Sequence, residues 1–409
     1  MPDAPLRHIL DGYKVLDFTQ IVAGPITTLM LAEMGAEVIK VELMPHGDSG
    51  RGGLHLNEDG RSGFFVQLNR GKKSICLNPK SAEGHDIIER LVRRCDVLVE
   101  NFAPGVIGRM GFDYERVKVL NPKIVMCSIS GYGQTGPLAD QPGFDFLGAA
   151  YAGITSMGGE AGGSPYFPMT ATGDVSAGAN ACGAICAALL YRERTGQGQH
   201  LDMTLLDAYF YFHESSVERY SLTKGAYQPT RSGRHSKQAV PCGVFKGKNR
   251  YFIIIAPLDH QFRALCTAIG KPQIPEDPRF KERIDRLRNA EALAAEVEEW
   301  FASMPSDEAS MEVFNAHRVP YAPVLSVAEA VNHPHLRLRG TVRTVHDPFL
   351  GDFDVPGFLF RFSNFPQPLE LQAPSLGEHN EQVLTEYLDY PASRVRELEA
   401  KGVLRSGRV

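Results

Sequence analysis

The chain has 409 residues, of which 43% are hydrophobic and 22% are charged, and its formal net charge is −5. This length predicts two domains or one elaborate domain, and the composition is that of an ordinary globular protein. The acidic balance argues against a general nucleic-acid-binding surface, which needs an excess of Lys and Arg. It leaves room for a local basic pocket that binds one anionic ligand.

The sequence contains no run of 18 or more apolar residues, so we expect no membrane span. The first ten residues, MPDAPLRHIL, lack the apolar stretch of a signal peptide. Seven cysteines are scattered without a CxxC pair, which predicts reduced thiols in a cytoplasmic protein. His333 and His335 have no third candidate ligand nearby, so we expect a loop there and no metal site.

The first recognisable unit lies near the N-terminus. Residues 13–18 (YKVLDF) are typical of a buried strand, residues 26–35 of a helix that ends at Gly35, and residues 36–42 of a second strand. A β-α-β unit about 30 residues long has the size of a parallel crossover. It lacks the GxGxxG fingerprint of dinucleotide-binding proteins.

The alternation of strands and helices continues. Further strands are predicted at residues 72–78, 95–101 and 123–130, and a helix capped by Ser81 runs to about Arg94. This pattern predicts an α/β domain with a parallel sheet. Ligands of such sheets bind beyond the carboxyl ends of the strands, where the segments FTQIVAGP, NFAPG and SGYGQTGP lie.

The second half of the chain changes character. A long helix is predicted at residues 174–193, and the polar, Pro- and Gly-containing stretch 225–240 is typical of a linker. A hairpin at residues 240–256 and two later helices indicate a second, smaller domain. From about residue 330 the sequence returns to loops and short strands, and it ends with a helix near EQVLTEYL.

Several segments together resemble the class III CoA-transferases, the formyl-CoA and carnitine-CoA transferase family. In chain order they are GYKVLDFTQIVAGP, GAEVIKVE, NRGKKSICLNPK, VENFAPGVIGRMG, SISGYGQTGP, TGDVSAGANACG, YRERTGQGQHLDMTLLDA and LGEHNEQVL. The resemblance rests on their order and spacing over nearly the whole chain. It implies a homodimer of two interlocked rings. Each chain would have a large Rossmann-like α/β domain built from both termini (1–225 and 331–409) and a smaller central α+β domain with its linker (226–330).

Asp174 stands before the predicted long helix, in TATGDVSAGANACG. From the residues alone it is more naturally a helix N-cap, because Asp is preferred there. The resemblance implies instead a nucleophile, since the family's nucleophilic Asp occupies this position of the GD-x-x-x-G motif. A carboxylate with an ordinary pKa of about 4 is ionised at neutral pH and needs no base to attack a thioester. We expect the small residues that follow to let backbone N–H groups stabilise the oxyanion.

Asp145, in PGFDFLGAA, is a second acidic candidate. The resemblance implies a catalytic role, because family members carry an acidic residue here beside the site; a turn or cap residue is the alternative. Its neighbour Phe144 stands where the related α-methylacyl-CoA racemases carry a His that moves an α-proton. Because Phe cannot accept a proton, Phe144 argues against racemase activity.

Contacts with CoA follow mainly from matched motif positions. Phosphates favour Arg, Lys and helix N-termini, and Arg51 in the GDSGR segment is a candidate for that reason. The resemblance implies contacts from Val22 and Ala23 to the amide arm, from Leu77, Asn78, Lys80, Asn101 and Phe102 along the nucleotide, and from Arg109 to a phosphate. Solvated surface charge is the alternative for Lys80 and Arg109, and a turn for Asn101. No cofactor is expected beyond the CoA thioester itself.

The resemblance therefore implies an acyl-CoA:carboxylate CoA-transferase, closer to dicarboxylate-type members that often use succinyl-CoA as donor. Val22 and Leu43 stand where formyl-CoA transferases carry Gln and Arg, which argues against formyl-CoA/oxalate specificity. Four residues of the linker are candidates for binding a distal carboxylate, or ordinary linker charges: Arg231, Arg234, His235 and Lys237. The alternative functions are an acyl-CoA racemase or isomerase and a CoA-binding subunit of a hetero-oligomer, which would be expected to have lost Asp174.

Overall fold

The computed structural model describes residues 8–52 and 60–407. The chain forms two compact units. The first comprises Met1–Ile154, Pro168–Glu214 and Pro334–Val409, and the second comprises Thr155–Phe167 and Ser215–His333. Compared with the predicted domain limits, residues 155–167 and 215–225 join the second unit. Within that unit, Arg231 donates hydrogen bonds to the carbonyls of Gly163 (2.8 Å) and Ser156 (2.9 Å), which ties the two segments together.

A six-stranded parallel sheet forms the centre of the first unit. Its spatial order is β3 (Lys72–Leu77), β2 (Glu37–Leu43), β1 (Lys14–Asp17), β4 (Val97–Glu100), β5 (Val125–Ser130) and β6 (Gln199–Thr204). The order 3-2-1-4-5-6 is that of a doubly wound Rossmann fold, which confirms the predicted α/β class. The order reverses between β1 and β4, where ligands of this fold bind.

Helices cover both faces of the sheet. The predicted N-cap of α3 (Ala82–Val92) is confirmed, because the Ser81 hydroxyl accepts a hydrogen bond from the Gly84 N–H at 3.1 Å. One face carries α3 (Ala82–Val92), α5 (Tyr114–Leu120), α17 (Asn380–Leu388) and α18 (Ala392–Ala400). The other carries α1 (Ala23–Glu33), α8 (Thr172–Thr195) and α9 (Leu205–Phe210). With helices on both sides, the central strands are buried on both faces, and all four residues of β4 are buried. The edge strand β6 is mostly half-buried.

Shorter elements connect these layers. They are a 3-10 turn (Ser49–Gly52), α2 (Gly63–Asn69), α4 (Val106–Arg109), α6 (Asp145–Tyr151), α16 (Pro334–Leu338), β10 (Val342–Asp347) and β11 (Gly351–Pro356). Helix α7 (Ile154–Met157) begins with the last residue of this segment of the first unit, and its other residues belong to the second unit. Strands β10 and β11 pair as an antiparallel hairpin.

The C-terminal part of the chain completes the first unit. The Asn380 side chain accepts a hydrogen bond from the N–H of Cys76 on β3 (3.0 Å), and the N–H of Arg405 donates to the Cys76 carbonyl (3.0 Å). The large unit is therefore built from both ends of the chain, as the resemblance implied.

The second unit is mixed α and β. Strands β7 (Cys242–Lys246), β8 (Tyr251–Ile255) and β9 (Tyr321–Pro323) form an antiparallel sheet, and β7 with β8 is the predicted hairpin. The helices are α10 (Ser216–Leu222), α11 (Asp259–Ala268), α12 (Arg283–Arg288), α13 (Ala290–Ser303), α14 (Asp307–Ala316) and α15 (Val327–Val331), with a 3-10 turn at Ile274–Glu276. Stacked Phe252 and Phe301, whose ring centroids lie 4.9 Å apart, belong to its core.

Helix α8 was predicted two residues too short at each end. Among the described residues it is the one helix whose length and composition would suit a membrane span, with a mean hydropathy of 1.3 over 18 residues. Its packing is that of a core helix of the α/β layer. Ala177 and Ala181 are fully buried, and the Thr27 hydroxyl of α1 donates to the Gly178 carbonyl at 3.1 Å.

Candidate active site

A pocket of about 410 Å³ opens at the carboxyl ends of β1, β4 and β5 in the first unit. Its walls include residues 20–23 after β1, residues 101–104 after β4 and residues 129–132 at the end of β5. The starts of α6 and α8 add Asp145 and Asp174. The three loops that the sequence placed at strand ends therefore meet at the reversal of strand order, as the fold predicts.

Ile21, in the loop after β1, has a left-handed backbone with φ of 70°. A β-branched residue adopts this conformation only where its surroundings impose it. Its N–H donates to Oδ1 of Asp48 at 3.1 Å, and the same oxygen accepts from the N–H of Gly50 at 2.8 Å. Asp48 thus holds the loop in a shape that leaves the Ile21 side chain 42% exposed at the pocket.

Two buried ion pairs lie beneath this loop. Lys40 Nζ lies 2.8 Å from Asp48 and donates to the Thr19 carbonyl at 2.7 Å, while Lys72 Nζ lies 3.1 Å from Asp17. Burial alone would raise the pKa of Asp48, but Lys40 outweighs it and holds that pKa below its usual range. The two pairs form a charged layer beneath the loop, made of Asp17, Lys40, Asp48 and Lys72, which sequence analysis did not identify.

Asn101 joins the loops on either side of the strand reversal. Its side-chain oxygen accepts from the N–H of Gln20, and its side-chain nitrogen donates to the carbonyl of Gln20, both at 2.8 Å. The next residue, Phe102, donates its N–H to Glu100 at 2.9 Å. Burial raises the pKa of Glu100 to about 7. Both Asn101 and Phe102 line the pocket, and the amide of Asn101 is occupied in shaping it.

Asp174 is the third residue of α8, and the N-cap is Ala171, whose side chain makes no capping hydrogen bond. The N-cap interpretation of Asp174 is therefore wrong, because the helix starts two residues earlier than predicted. The N–H of Asp174 donates to Oδ2 of Asp145, the first residue of α6, at 2.6 Å. The two acidic residues that were singled out in the sequence are brought together at one wall of the pocket.

The carboxyl group of Asp174 is half-buried, and burial together with the nearby Asp145 carboxylate raises its pKa from the ordinary 3.8 to about 7. The sequence-based expectation of an ordinary pKa is therefore wrong. Desolvation and a neighbouring negative charge outweigh the favourable field of the helix N-terminus. At neutral pH this carboxyl group is divided between its acid and carboxylate forms.

Tyr209, on α9, is hydrogen-bonded to Asp145 and was missed by sequence analysis. Its hydroxyl donates to Oδ1 of Asp145 at 2.5 Å and accepts from the Thr172 hydroxyl at 3.1 Å. The ring lies against Gly173, where a Cβ atom would stand 2.1 Å from a ring carbon. No local pattern in the sequence indicates the contacts of Tyr209 with Asp145 and Gly173, because Tyr209 has the pattern of an ordinary aromatic residue in a short helix.

Several glycines near this wall of the pocket allow neighbouring segments to pack closely, because a Cβ atom would not fit. Gly178 of α8 faces α1, where an added Cβ would lie 2.6 Å from the Ala23 carbonyl. Gly131 and Gly143 touch backbone to backbone, and a Cβ on Gly131 would lie 2.6 Å from the Cα of Gly143. Close approach to Tyr209 and to α1 thus accounts for Gly173 and Gly178. The oxyanion role expected for the small residues remains a prediction.

The pocket brings together six of the predicted site residues. They are Val22, Ala23, Asn101, Phe102, Asp145 and Asp174. Leu77 ends β3, two strands away from β1, and Asn78 and Lys80 follow it; none of the three lines the pocket. Leu77 is fully buried and Lys80 is exposed, while Arg109 is exposed at the end of α4.

Arg51 also lies outside the pocket walls, and its side chain is only 1% exposed. Two of its nitrogens pair with the carboxylate oxygens of Glu42 at 2.6 and 2.7 Å, and the guanidinium stacks 3.7 Å from the ring of Phe65. In this arrangement the side chain serves the packing of the first unit. In the second unit, Arg234 pairs with Glu298 at 2.8 Å, so Arg231 and Arg234 both have partners within that unit.

The pocket walls carry carboxylates and neutral polar groups. The polar side chains lining it, besides Asp145 and Asp174, are Gln20, Ser49, Asn101, Ser130, Tyr132 and Gln141. Phe144, the N-cap of α6, contributes an aromatic ring that is 70% exposed, at the position beside Asp145 where a proton acceptor would be needed for racemisation. In chemical terms the site offers two carboxyl groups beside neutral hydrogen-bonding side chains, and a carboxylate is chemically able to act as a nucleophile.

Known proteins are similar to this chain in sequence and in fold. The sequence model of CoA-transferase family III matches residues 10–380. The chain is 34% identical over 397 residues to succinyl-CoA:glutarate CoA-transferase of Mus musculus, covering 97% of this chain and 90% of that protein. It is 37% identical over 385 residues to acetyl-CoA:oxalate CoA-transferase of Acetobacter aceti, covering 92% and 95%. The crystal structure of a CaiB/BaiF family protein from Brucella suis matches with a TM-score of 0.81 at 33% identity, covering 93% of this chain and 99% of that one.

The chain therefore belongs to CoA-transferase family III and is a class III CoA-transferase. The family resemblance drawn from the sequence motifs is confirmed. Relatives named for glutarate and oxalate act on dicarboxylate acceptors.

Proposed function

We propose that the enzyme moves CoA from an acyl-CoA, with succinyl-CoA as the favoured donor, to a small carboxylic acid through covalent intermediates on Asp174. The observation that carries this proposal is a half-buried aspartate that lines a 410 Å³ pocket at the strand reversal, with its N–H held by a second carboxylate. An acyl-CoA thioester that enters this pocket meets a nucleophile fixed to a helix start.

The reaction needs no net proton. A carboxylate oxygen of Asp174 attacks the thioester carbonyl, the C–S bond breaks, and CoA leaves as a thiolate, which gives a mixed anhydride. The thiolate then attacks the Asp174 carbonyl, the donor acid leaves as a carboxylate, and an aspartyl-CoA thioester remains. An acceptor carboxylate then attacks the aspartyl-CoA thioester, and CoA leaves again as a thiolate. The thiolate attacks the acceptor's carbonyl in the new anhydride, which releases the Asp174 carboxylate and a new acyl-CoA, so the energy of the thioester bond is conserved.

The raised pKa of Asp174 suits the nucleophile's role. Because nucleophilicity rises with basicity, a carboxylate whose pKa is about 7 is a stronger nucleophile than one with the ordinary value. It is still substantially ionised at neutral pH. Within this mechanism Asp145 acts beside the site, as an acceptor that positions the Asp174 backbone.

We propose a dicarboxylate as the acceptor, on the strength of relatives named for glutarate and oxalate. Val22 and Ala23 would contact the CoA amide arm, and Asn101 and Phe102, which also line the pocket, would contact the nucleotide. By motif position we also propose nucleotide contacts for four residues outside the pocket walls: Leu77, Asn78, Lys80 and Arg109. Arg51 stays a candidate for a phosphate contact because of its positive charge, although it pairs with Glu42. No further cofactor is required by this chemistry.

We also propose that the enzyme is a homodimer, interlocked as the family resemblance implies, and that it acts in the cytoplasm. Large apolar side chains on α6, α8 and α9 are exposed in the single chain: Leu147 (43%), Tyr151 (59%), Leu190 (52%) and Phe210 (50%). Such exposure is expected of a surface that a second copy covers. All seven cysteines are unpaired, which suits a reducing compartment.

Mass spectrometry tests the activity. The enzyme is incubated in D₂O with succinyl-CoA and a panel of mono- and dicarboxylic acids, and the products and the Asp174 peptide are analysed. We expect new acyl-CoA species, a CoA-sized adduct on the Asp174 peptide and no deuterium at the α-carbon of recovered substrates. The variant Asp174→Asn is the control and should form neither product nor adduct while remaining folded. Deuterium incorporation without acyl exchange would identify a racemase or isomerase instead.

A further inference from the structure

Tyr209 belongs to no motif that was used to recognise the site, yet it is bonded to one of its two carboxylates. It lies on α9, is only 2% exposed, and donates its hydroxyl proton to Oδ1 of Asp145 at 2.5 Å. The Thr172 hydroxyl donates to the Tyr209 oxygen at 3.1 Å, which occupies a lone pair and leaves the phenolic proton directed at Asp145.

The other oxygen of Asp145 has a different task. Oδ2 accepts the N–H of Asp174 at 2.6 Å. One carboxylate therefore connects the hydroxyl of Tyr209 on α9 with the backbone of Asp174 on α8. If Oδ1 lost its donor, the buried carboxylate would be free to rotate about its last torsion, and the bond to Asp174 would lose its fixed direction.

The ring of Tyr209 is also fixed in place. It packs against Gly173, the residue directly before Asp174, in a space that a Cβ atom would fill. The ring also packs edge to face on Phe212, with ring centroids 5.9 Å apart, and belongs to a buried cluster with Ala149 and Ala152. Both the ring and the hydroxyl of Tyr209 therefore act on the first turn of α8.

We propose that Tyr209 is a positioning residue of the CoA-transfer reaction, which fixes the Asp145 carboxylate so that its second oxygen holds the backbone of Asp174 in the attacking geometry. This inference rests on the proposed function of Asp174. Tyr209 does not touch the reacting atoms and acts through Asp145.

The test removes only the hydroxyl group. Tyr209→Phe keeps the ring that packs on Gly173, so the variant should fold. We expect kcat to fall on the order of tenfold, the effect of losing a hydrogen bond to a charged group, and KM for the acyl-CoA to stay within about twofold. The matched control is Tyr114→Phe on the other face of the sheet, where a half-buried tyrosine stacks on His200 at 5.3 Å. That variant should keep the wild-type kcat.

A double-mutant cycle tests the route through Asp145. If Tyr209 acts through this carboxylate, Tyr209→Phe should cost nothing further in an Asp145→Ala background. An equal loss in both backgrounds would overturn the proposal, and so would an unchanged kcat in the single variant. A wild-type enzyme that transfers no CoA would instead refute the proposed function, which separates the two failures.

A second readout does not depend on turnover. Carbodiimide labels protonated carboxyl groups, so the pH at which labelling of the Asp174 peptide falls to half reports the titration of this group. Asp145 from α6 is the charged neighbour that raises the Asp174 pKa, and Tyr209 from α9 faces Asp145. Without the hydroxyl, the Asp145 carboxylate loses a donor that offsets its charge, so the midpoint of Asp174 labelling should rise in Tyr209→Phe. A midpoint equal to that of the wild type would contradict the proposal.

Discussion

The backbone N–H of Asp174, on the first turn of α8, donates a 2.6 Å hydrogen bond to Oδ2 of Asp145, the first residue of α6. This contact orders the start of α8 and places a negative charge beside the Asp174 carboxyl group. The same neighbour thus positions the proposed nucleophile and raises its pKa. Several measurable consequences arise from this arrangement and from the buried charges beneath the pocket.

The rate should depend on pH through Asp174. Because the attacking form is the carboxylate and its pKa is about 7, kcat/KM should fall about tenfold for each pH unit below that value. Asp145→Asn removes the neighbouring charge but keeps an oxygen that accepts the Asp174 N–H. We therefore expect the midpoint of the acidic limb to move to lower pH in this variant, while burial keeps it above the ordinary value. A profile that is flat from pH 5.5 to 8 would contradict this assignment.

The ionised Asp174 should destabilise the fold. Its pKa is raised from 3.8 to about 7 in the folded chain, so the folded state favours the protonated acid. The stability that this preference contributes is complete below pH 4 and is lost as the pH rises through 7. Asp174→Asn should therefore raise the free energy of unfolding at pH 8 by on the order of 1 kcal/mol or more, since one pKa unit corresponds to about 1.4 kcal/mol.

Thermal unfolding of Asp174→Asn and wild type at pH 4 and pH 8 measures this effect. The gain should be present at pH 8 and nearly absent at pH 4. An equal gain at both pH values would mean that the substitution acts through packing and not through charge.

Asp48 should be essential to the loop after β1. Asp48→Ala leaves Lys40 without its 2.8 Å partner in a site where both side chains are at most 1% exposed. Breaking a buried pair in this way costs about 3–5 kcal/mol. The N–H of Ile21 also loses its acceptor, so activity should fall in whatever fraction remains folded.

Denaturant unfolding measures the loss in Asp48→Ala, with Asp352→Ala as the matched control. Asp352 pairs with His346 at 2.8 Å, but both side chains are well exposed, so this change should alter stability by less than about 0.5 kcal/mol. Equal effects of the two substitutions would show that the charged layer beneath the loop has no special role.

Two glycines of α8 should respond oppositely to alanine. At Gly178 a Cβ would lie 2.6 Å from the Ala23 carbonyl, so Gly178→Ala should destabilise the fold by about 1–3 kcal/mol. At Gly183 a Cβ meets no atom within 4 Å, so Gly183→Ala should stabilise the helix by about 0.5–1 kcal/mol. Melting temperatures of the two variants provide the comparison. A loss at Gly183 would indicate that another copy of the chain packs on this side of α8.

Local patterns in the sequence determined much of the first unit. Buried strands separated by amphipathic helices predicted the parallel sheet, the Ser81 cap and the loops that line the pocket, because periodicity and capping depend on neighbours within a few residues. The ordered motifs also identified the family, and within it the positions of Asp145 and Asp174. These features could be predicted from the sequence because each depends on one continuous segment of the chain.

Only the tertiary structure determined the burial, the pKa values and the long-range contacts of the site residues. The N-cap role of Asp174 was excluded by where α8 begins, and its raised pKa comes from burial and from Asp145, 29 residues away. Tyr209 reaches Asp145 across 64 residues, and Arg51 is committed to Glu42 inside the unit. Desolvation and contacts between helices depend on how distant segments pack together, and no single segment of the sequence carries that information.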